Sequence, residues 1–127
     1  MSGSDATILV ASSGATAVLL FGAPTLPFSQ PRNVIGGHVV AAVSGTLVYT
    51  LLGDLPITPA LSVGLAVAGM QMTSTLHPPA GGTALIASMG SHSPFFVVPV
   101  FIGSVAQVGC ACVFNNLIPG RKYPQYW

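Results

Sequence analysis

Leu76-His77-Pro78-Pro79-Ala80-Gly81-Gly82-Thr83-Ala84-Leu85-Ile86-Ala87 sets a histidine, a proline pair and a glycine pair inside a stretch that carries no charge. No Asp, Glu, Lys or Arg occurs between Asp54 and Arg121. A proline pair breaks a helix, and in apolar surroundings the break survives only where protein or a wet cavity satisfies the freed backbone groups. Membrane transporters build binding sites at breaks of this kind.

The rest of the chain states what those surroundings are. It has 127 residues, 51% hydrophobic and 4% charged, with mean hydropathy +0.77. A soluble domain carries about 25% charged residues, and three basic and two acidic side chains cannot clothe a soluble surface of this size. The exterior must therefore face lipid or other apolar protein, which makes this an all-α integral membrane protein. A formal net charge of +1 with no basic cluster argues against nucleic acid. The start Met1-Ser2-Gly3-Ser4-Asp5 has no basic n-region, and neither a signal peptide nor an organelle transit peptide is evident. Cys110 and Cys112 stand two apart, so on a helix they point to different sides. They read as small buried thiols rather than a disulfide or a metal pair.

A bilayer core needs about 20 apolar residues per helix, and the spacing predicts four spans, at about 6–23, 33–52, 57–76 and 95–118. A proline or a charge stands at each boundary, as helix stops require. Four crossings place the 24–33 and 77–94 connections on one face, with Asp54 and both termini on the other. Residues 79–93 are too few to cross. They read as a short helix that is re-entrant, interfacial or a kinked lead-in to the last span. Small residues along every span predict closely packed helices. Gln107, Asn115 and Asn116 are positioned as polar links between helices, and His92 sits in a solvated turn. Tyr123, Tyr126 and Trp127 after Arg121-Lys122 form an interfacial anchor.

Pro31-Arg32-Asn33 with Gly36-Gly37 and His38 weakly echoes His77-Pro78-Pro79 with Gly81-Gly82-Thr83. Two helix starts with unpaired first-turn amides on one face would make a small positive funnel for an anion. Its ligand-binding candidates are Arg32, Asn33, Gly36, Gly37, His77, Gly81, Gly82 and Thr83. Each has a plainer reading: glycine pairs for close helix packing, Arg32 reaching for headgroups, His77 capping the broken backbone. His38, ionisable and intramembrane, is a functional candidate by position, as a hydrogen-bond partner or as the axial ligand of a pigment or haem. No metal-ligand spacing and no set of nucleophile, base and orienting group is present, so the chain reads as a non-enzyme.

The tripeptide, the stretch from Ser13 to Phe21, the stretch from Ala23-Pro24 to His38, and Asn115-Asn116-Leu117 together resemble the HPP family of small integral membrane proteins, from about Ala11 to Asn116. The resemblance implies a single HPP-like transmembrane domain over 1–127. It also implies a transporter or channel for a small anion such as nitrite, working as a homo-oligomer without a cofactor. Plant members of the family are linked to nitrite transport in the chloroplast envelope, and bacterial members lie in the plasma membrane. Family members usually carry another hydrophobic helix before the segment that begins here at Ala6. Its absence here would leave the face of Ser13, Gly14 and Ala17 open to lipid, pigment or a foreign chain. The second function class follows: a non-transporting subunit of a larger membrane complex, for instance a photosynthetic one in the thylakoid, contacting chlorophyll or carotenoid.

Overall fold

The computed structural model describes residues 3–90 and 94–127; the expectation for His92 lies outside them. The regular elements among these residues are helical: α1 Gly3–Ala17, α2 Pro31–Leu52, α3 Thr58–Met72, α4 Ala80–Ser88 and α5 Val97–Leu117. Two helical stretches, Pro31–Leu52 and Pro94–Leu117, are long and apolar enough to cross a membrane. α3 has 15 residues, a rise of roughly 22 Å against a hydrocarbon core of about 30 Å.

α1 runs on without a break into a π-helical turn at Val18–Gly22. Such a wide turn exposes carbonyls, and here side chains from elsewhere take them. Ser29 Oγ donates to the Leu19 carbonyl at 3.1 Å, Asn115 Nδ2 to Leu20 at 2.9 Å and Arg121 Nη1 to Phe21 at 3.0 Å. Pro31 opens α2 at a position where its missing amide hydrogen costs nothing. α2 ends at Gly53, whose φ of +67° is a left-handed stop suited to glycine. The expected third span is shorter than the sequence pattern implied. Ser74 turns left-handed (φ +55°), and residues 73–79 leave the helix and enter the bundle as irregular chain.

The direction of the last two segments corrects the expected topology. His77 touches the Phe28 carbonyl, at the end of the bundle where α1 stops and α2 starts. Phe96, however, packs with Ile8, Leu9 and Ala42, well along towards the other end. His77 and Phe96 therefore stand towards opposite ends of the bundle, and the chain between them does not return to the face it left. α5 then runs parallel to α1, Gln107 meeting Ser13 and Asn115 meeting Leu20. The C-terminal tail lies on the 23–30 loop, through Tyr123 to Ser29 and Gln125 to Gln30. It thus sits opposite the start of α1, not beside it. α4 is nine residues long, entered from a turn at Pro78-Pro79 and followed by the 3₁₀ turn Pro94–Phe96.

α4 is wrapped by α1, α2 and α3. A Cβ on Gly45 of α2 would lie 2.5 Å from the Ala84 carbonyl oxygen and 2.6 Å from Ala87 Cβ, so the α2–α4 approach exists only because residue 45 has no side chain. The polarity of a soluble protein is reversed. Val98, Phe101, Ile102, Val113 and Leu117 of α5 face outwards, as do Val43, Leu47 and Leu51 of α2, while Thr16, His38, His77, Thr83 and Asn115 are buried. That is the arrangement lipid requires, since only internal partners satisfy polar groups there. Cys112 is half-buried, but Cys110 is exposed on the outer face of α5, which corrects the expectation of a buried pair.

Candidate functional site

Ser12 and Thr16 stand one turn apart on α1 and so share a face, the face that meets His38 of α2, Thr83 of α4 and His77 of the irregular segment. Thr16 Oγ1 lies 3.0 Å from His38 Nε2 and 3.0 Å from His77 Nε2. On the other side of His38, Nδ1 is 2.8 Å from Thr83 Oγ1. Ser12 Oγ donates to the Pro79 carbonyl at 2.8 Å and lies 3.3 Å from Thr83 Oγ1. His77 Nδ1 is 2.7 Å from the Phe28 carbonyl oxygen. The two imidazole rings are 5.0 Å apart, centroid to centroid. All five side chains are buried.

A carbonyl oxygen only accepts, which fixes the order of this chain when both rings are neutral. His77 donates from Nδ1 to Phe28, so its Nε2 accepts the Thr16 hydroxyl hydrogen. Thr16, having one hydrogen, accepts from His38 Nε2, and His38 Nδ1 accepts from Thr83. Both nitrogens of His38 are thus engaged, an arrangement that leaves neither directed at a pigment or haem.

The glycine pairs act in packing. A Cβ on Gly36 would meet Thr75 Cγ2 at 2.7 Å, one on Gly37 would meet His77 Cβ at 2.6 Å, and one on Gly82 would lie 3.1 Å from Ser12 Cβ. Their absence lets the 75–77 segment lie against α2 and lets Ser12 reach α4. Gly81 has open space around it. Arg32 Nη2 donates to the Thr73 carbonyl at 2.9 Å. This resolves its odd placement in a first turn: it opposes the dipole of its own helix but caps the C-terminal end of α3, where a cation is favoured. Asn33 Nδ2 donates to the Leu76 carbonyl at 2.9 Å. The expected funnel has its first-turn amides engaged at α4, since Ala80, Gly81 and Gly82 donate to His77, Pro78 and Pro79.

Beside His38 and Thr83, between α1 and α5, lies a half-enclosed cavity of ≈ 180 Å³. Leu9, Phe96, Pro99 and Val100 form apolar walls, and Ser13, Ser104 and Gln107 add polar groups. No acidic residue is among its lining residues. Of the candidates named from sequence, Thr83 and His38 reach this cavity and His77 stands one hydroxyl behind it. Ser12 and Thr16, which join the histidines, were not singled out, although Ser12-x-x-x-Thr16 is a polar pair at one-turn spacing on an apolar helix. The aromatic anchor is also divided. Tyr126 and Trp127 are exposed, while Tyr123 is buried with its hydroxyl donating to the Ser29 carbonyl at 2.7 Å.

The HPP transmembrane-region family matches residues 1–124. The chain belongs to the HPP transmembrane family. Two transmembrane proteins of Dictyostelium discoideum are similar to it. One is 39% identical over 132 residues, covering 97% of this chain and 42% of the relative. The other is 40% identical over 129 residues, covering 94% and 45%. The chain thus spans less than half the length of these relatives, and their names say of them only that they are transmembrane proteins. No solved structure matches. Membership and relatives make this HPP chain an integral membrane protein and fit a non-enzymatic one. The backbone bonds give the tripeptide a physical role. Pro78 and Pro79 bring no amide hydrogen into the apolar bundle, and the carbonyls of His77, Pro78 and Pro79 are all accepted into the start of α4. The His77 ring, the tripeptide's polar side chain, finds its partners in the Phe28 carbonyl and Thr16.

Proposed function

We propose that this HPP protein moves a small anion, nitrite being the species the family resemblance implies, through the cavity between α1 and α5. The observation that carries the reading is the cavity itself, ≈ 180 Å³, apolar-walled, ending on His38 and Thr83 and lined by no acidic residue. Imidazole, hydroxyl and amide groups all donate hydrogen bonds, which suits an anion, whereas a cation site would need carboxylates or converging carbonyls. The volume accommodates a triatomic anion with a few waters at about 30 Å³ each. Thr83 forms the inner contact by turning its hydroxyl hydrogen from His38 Nδ1 to the anion, Gln107 has a second amide hydrogen to give, and His77 supports His38 through Thr16. Arg32 stands at the end of the bundle where α2 starts, and Asn33, Gly36, Gly37 and Gly82 hold the broken segment in register.

Reconstitution into proteoliposomes tests this. The unaltered protein is expected to raise nitrite uptake above that of protein-free vesicles. Thr83→Val keeps the shape but removes the hydroxyl at the cavity, and should cut uptake several-fold while Gly81→Ala leaves it unchanged. Uptake no faster than in protein-free vesicles would overturn the reading, as would a Thr83→Val protein with normal uptake.

A further inference from the structure

An anion at this cavity would meet no fixed positive charge. Among the described residues, the nearest basic side chain on α2, Arg32, is turned to Thr73. Burying an uncompensated charge in an apolar interior is expensive, so the countercharge has to come from a titratable group. The hydrogen-bond chain behind the cavity is built to provide it. We propose, resting on the transport reading above, that each anion enters with one proton, which the His38–Thr16–His77 chain takes up as countercharge.

The geometry supports this because each hydroxyl in the chain has a second acceptor within reach. If His77 gains a proton at Nε2, that nitrogen donates to Thr16 Oγ1, and the Thr16 hydrogen turns to the Ser12 carbonyl oxygen, 3.1 Å away. If His38 gains one at Nδ1, it donates to Thr83 Oγ1. The Thr83 hydrogen then turns to Ser12 Oγ at 3.3 Å, while Ser12 keeps its own bond to the Pro79 carbonyl at 2.8 Å. Either ring can thus become imidazolium by rotation of hydroxyl hydrogens, with no heavy atom displaced and no donor left without an acceptor. The alternative acceptors are the Ser12 carbonyl for Thr16 and the Ser12 hydroxyl for Thr83.

The groups that face the two rings are few. α1 presents Ser12 and Thr16, α4 presents Thr83, and α3 brings Met70 against Gly37 beside His77. The 23–30 loop presents the Phe28 carbonyl, and α5 lines the cavity with Ser104 and Gln107. Tyr123, on the loop side, has its phenol turned to Ser29. Each imidazole is therefore the other's titratable neighbour, and one added proton is shared between them, since two adjacent imidazolium ions would repel. His38 borders the cavity, so an anion there favours the charged ring directly. The proton comes from water on the side the anion leaves and returns to water on the side it reaches; no other bond is made or broken.

Two measurements test the inference separately from the transport reading. First, nitrogen NMR of the histidine-labelled protein without anion, with His92→Gln to simplify assignment, should show one ring protonated at Nδ1 (His77) and one at Nε2 (His38). Two rings of the same tautomer would overturn the ordered chain whether or not the protein transports. Second, nitrite uptake into proteoliposomes should be insensitive to a valinomycin-imposed voltage, because proton and anion together carry no charge. It should also rise several-fold with one unit of inward pH gradient, with about tenfold as the limit for one proton per anion. Thr16→Val should lose the stimulation by the pH gradient and Thr16→Ser should retain it. Protein-dependent uptake that follows voltage and ignores pH would overturn proton coupling and leave the transport reading standing. No protein-dependent uptake would overturn the transport reading and this inference with it.

Discussion

Replacing Gly37 by alanine separates a packing role for the glycine pairs from a ligand-facing one. A Cβ at position 37 would lie 2.6 Å from His77 Cβ, 2.9 Å from the Thr75 carbonyl oxygen and 3.3 Å from Met70 Sδ. Two of these neighbours belong to the irregular segment, and that segment must retreat by about 1 Å to restore an ordinary carbon–carbon separation near 3.5 Å. Overpacking of this kind costs about 1–3 kcal/mol. The retreat carries His77 away from partners at 2.7 and 3.0 Å, and each weakened bond adds about 0.5–1.5 kcal/mol. Gly37→Ala is thus expected to lose about 2–6 kcal/mol. Gly64→Ala on α3, with nothing within 4 Å of its Cβ, should be neutral or gain up to about 1 kcal/mol from helix propensity. Equilibrium unfolding in mixed micelles, with both variants side by side, reads the difference. A Gly37→Ala protein as stable as the parent, or a Gly64→Ala protein equally damaged, would refute the packing argument.

Two further outcomes follow from the end of the bundle. Asn115 is buried and bonds the Leu20 carbonyl at 2.9 Å and Arg121 at 3.1 Å, so Asn115→Leu should destabilise by about 1–3 kcal/mol through the orphaned carbonyl; a change below about 0.5 kcal/mol in the same unfolding assay would count against the link. Burial, aided by the nearby Cys112 thiol, pushes the Tyr123 phenol above the usual tyrosine range. A raised folded value means that stability is intact below the unfolded value of about 10 and falls as pH rises past it. Tyr123→Phe should remove that alkaline loss, together with the late component of an absorbance titration, and an unchanged titration curve would contradict the burial of its hydroxyl.

What the sequence disclosed and what it hid divide along a physical line. Membrane residence and helical class were legible because they are compositional: five charges cannot dress a soluble surface. The break at Pro78-Pro79 and the short helix after it were legible because proline acts locally. The length of α3 was not, since its end depends on Ser74 adopting a left-handed turn that no local signal marks. Nor was the route of residues 77–94. The number of residues is too small for a helical crossing, and the sequence does not reveal that side chains from α1 and α2 stand ready to satisfy the broken segment. His38, His77 and Thr83 were visible as polar residues in apolar surroundings. That they meet through Thr16 was not, because Thr16 sits among many small residues that pack helices, and only the fold distinguishes the one that joins two rings.

The same line explains why the tripeptide holds a histidine next to two prolines. A broken strand of chain inside an apolar bundle normally exposes amides and carbonyls at a cost of several kcal/mol each. The prolines remove two amides, α4 absorbs the three carbonyls, and Asn33 takes that of Leu76. Of the tripeptide's side chains only the His77 ring is polar, and that ring is placed where α1 carries a hydroxyl and α2 carries a second imidazole. An apolar residue at 77 would leave Thr16 its bond to the Ser12 carbonyl but would take the donor from the Phe28 carbonyl. Keeping two buried imidazoles, one of them at a cavity wall, makes sense where a proton has to be held there for part of a cycle. His77→Leu with Thr16 intact poses that question directly: the fold should survive with a loss of about 1–3 kcal/mol from the orphaned Phe28 carbonyl, whereas the response of nitrite uptake to an inward pH gradient should vanish.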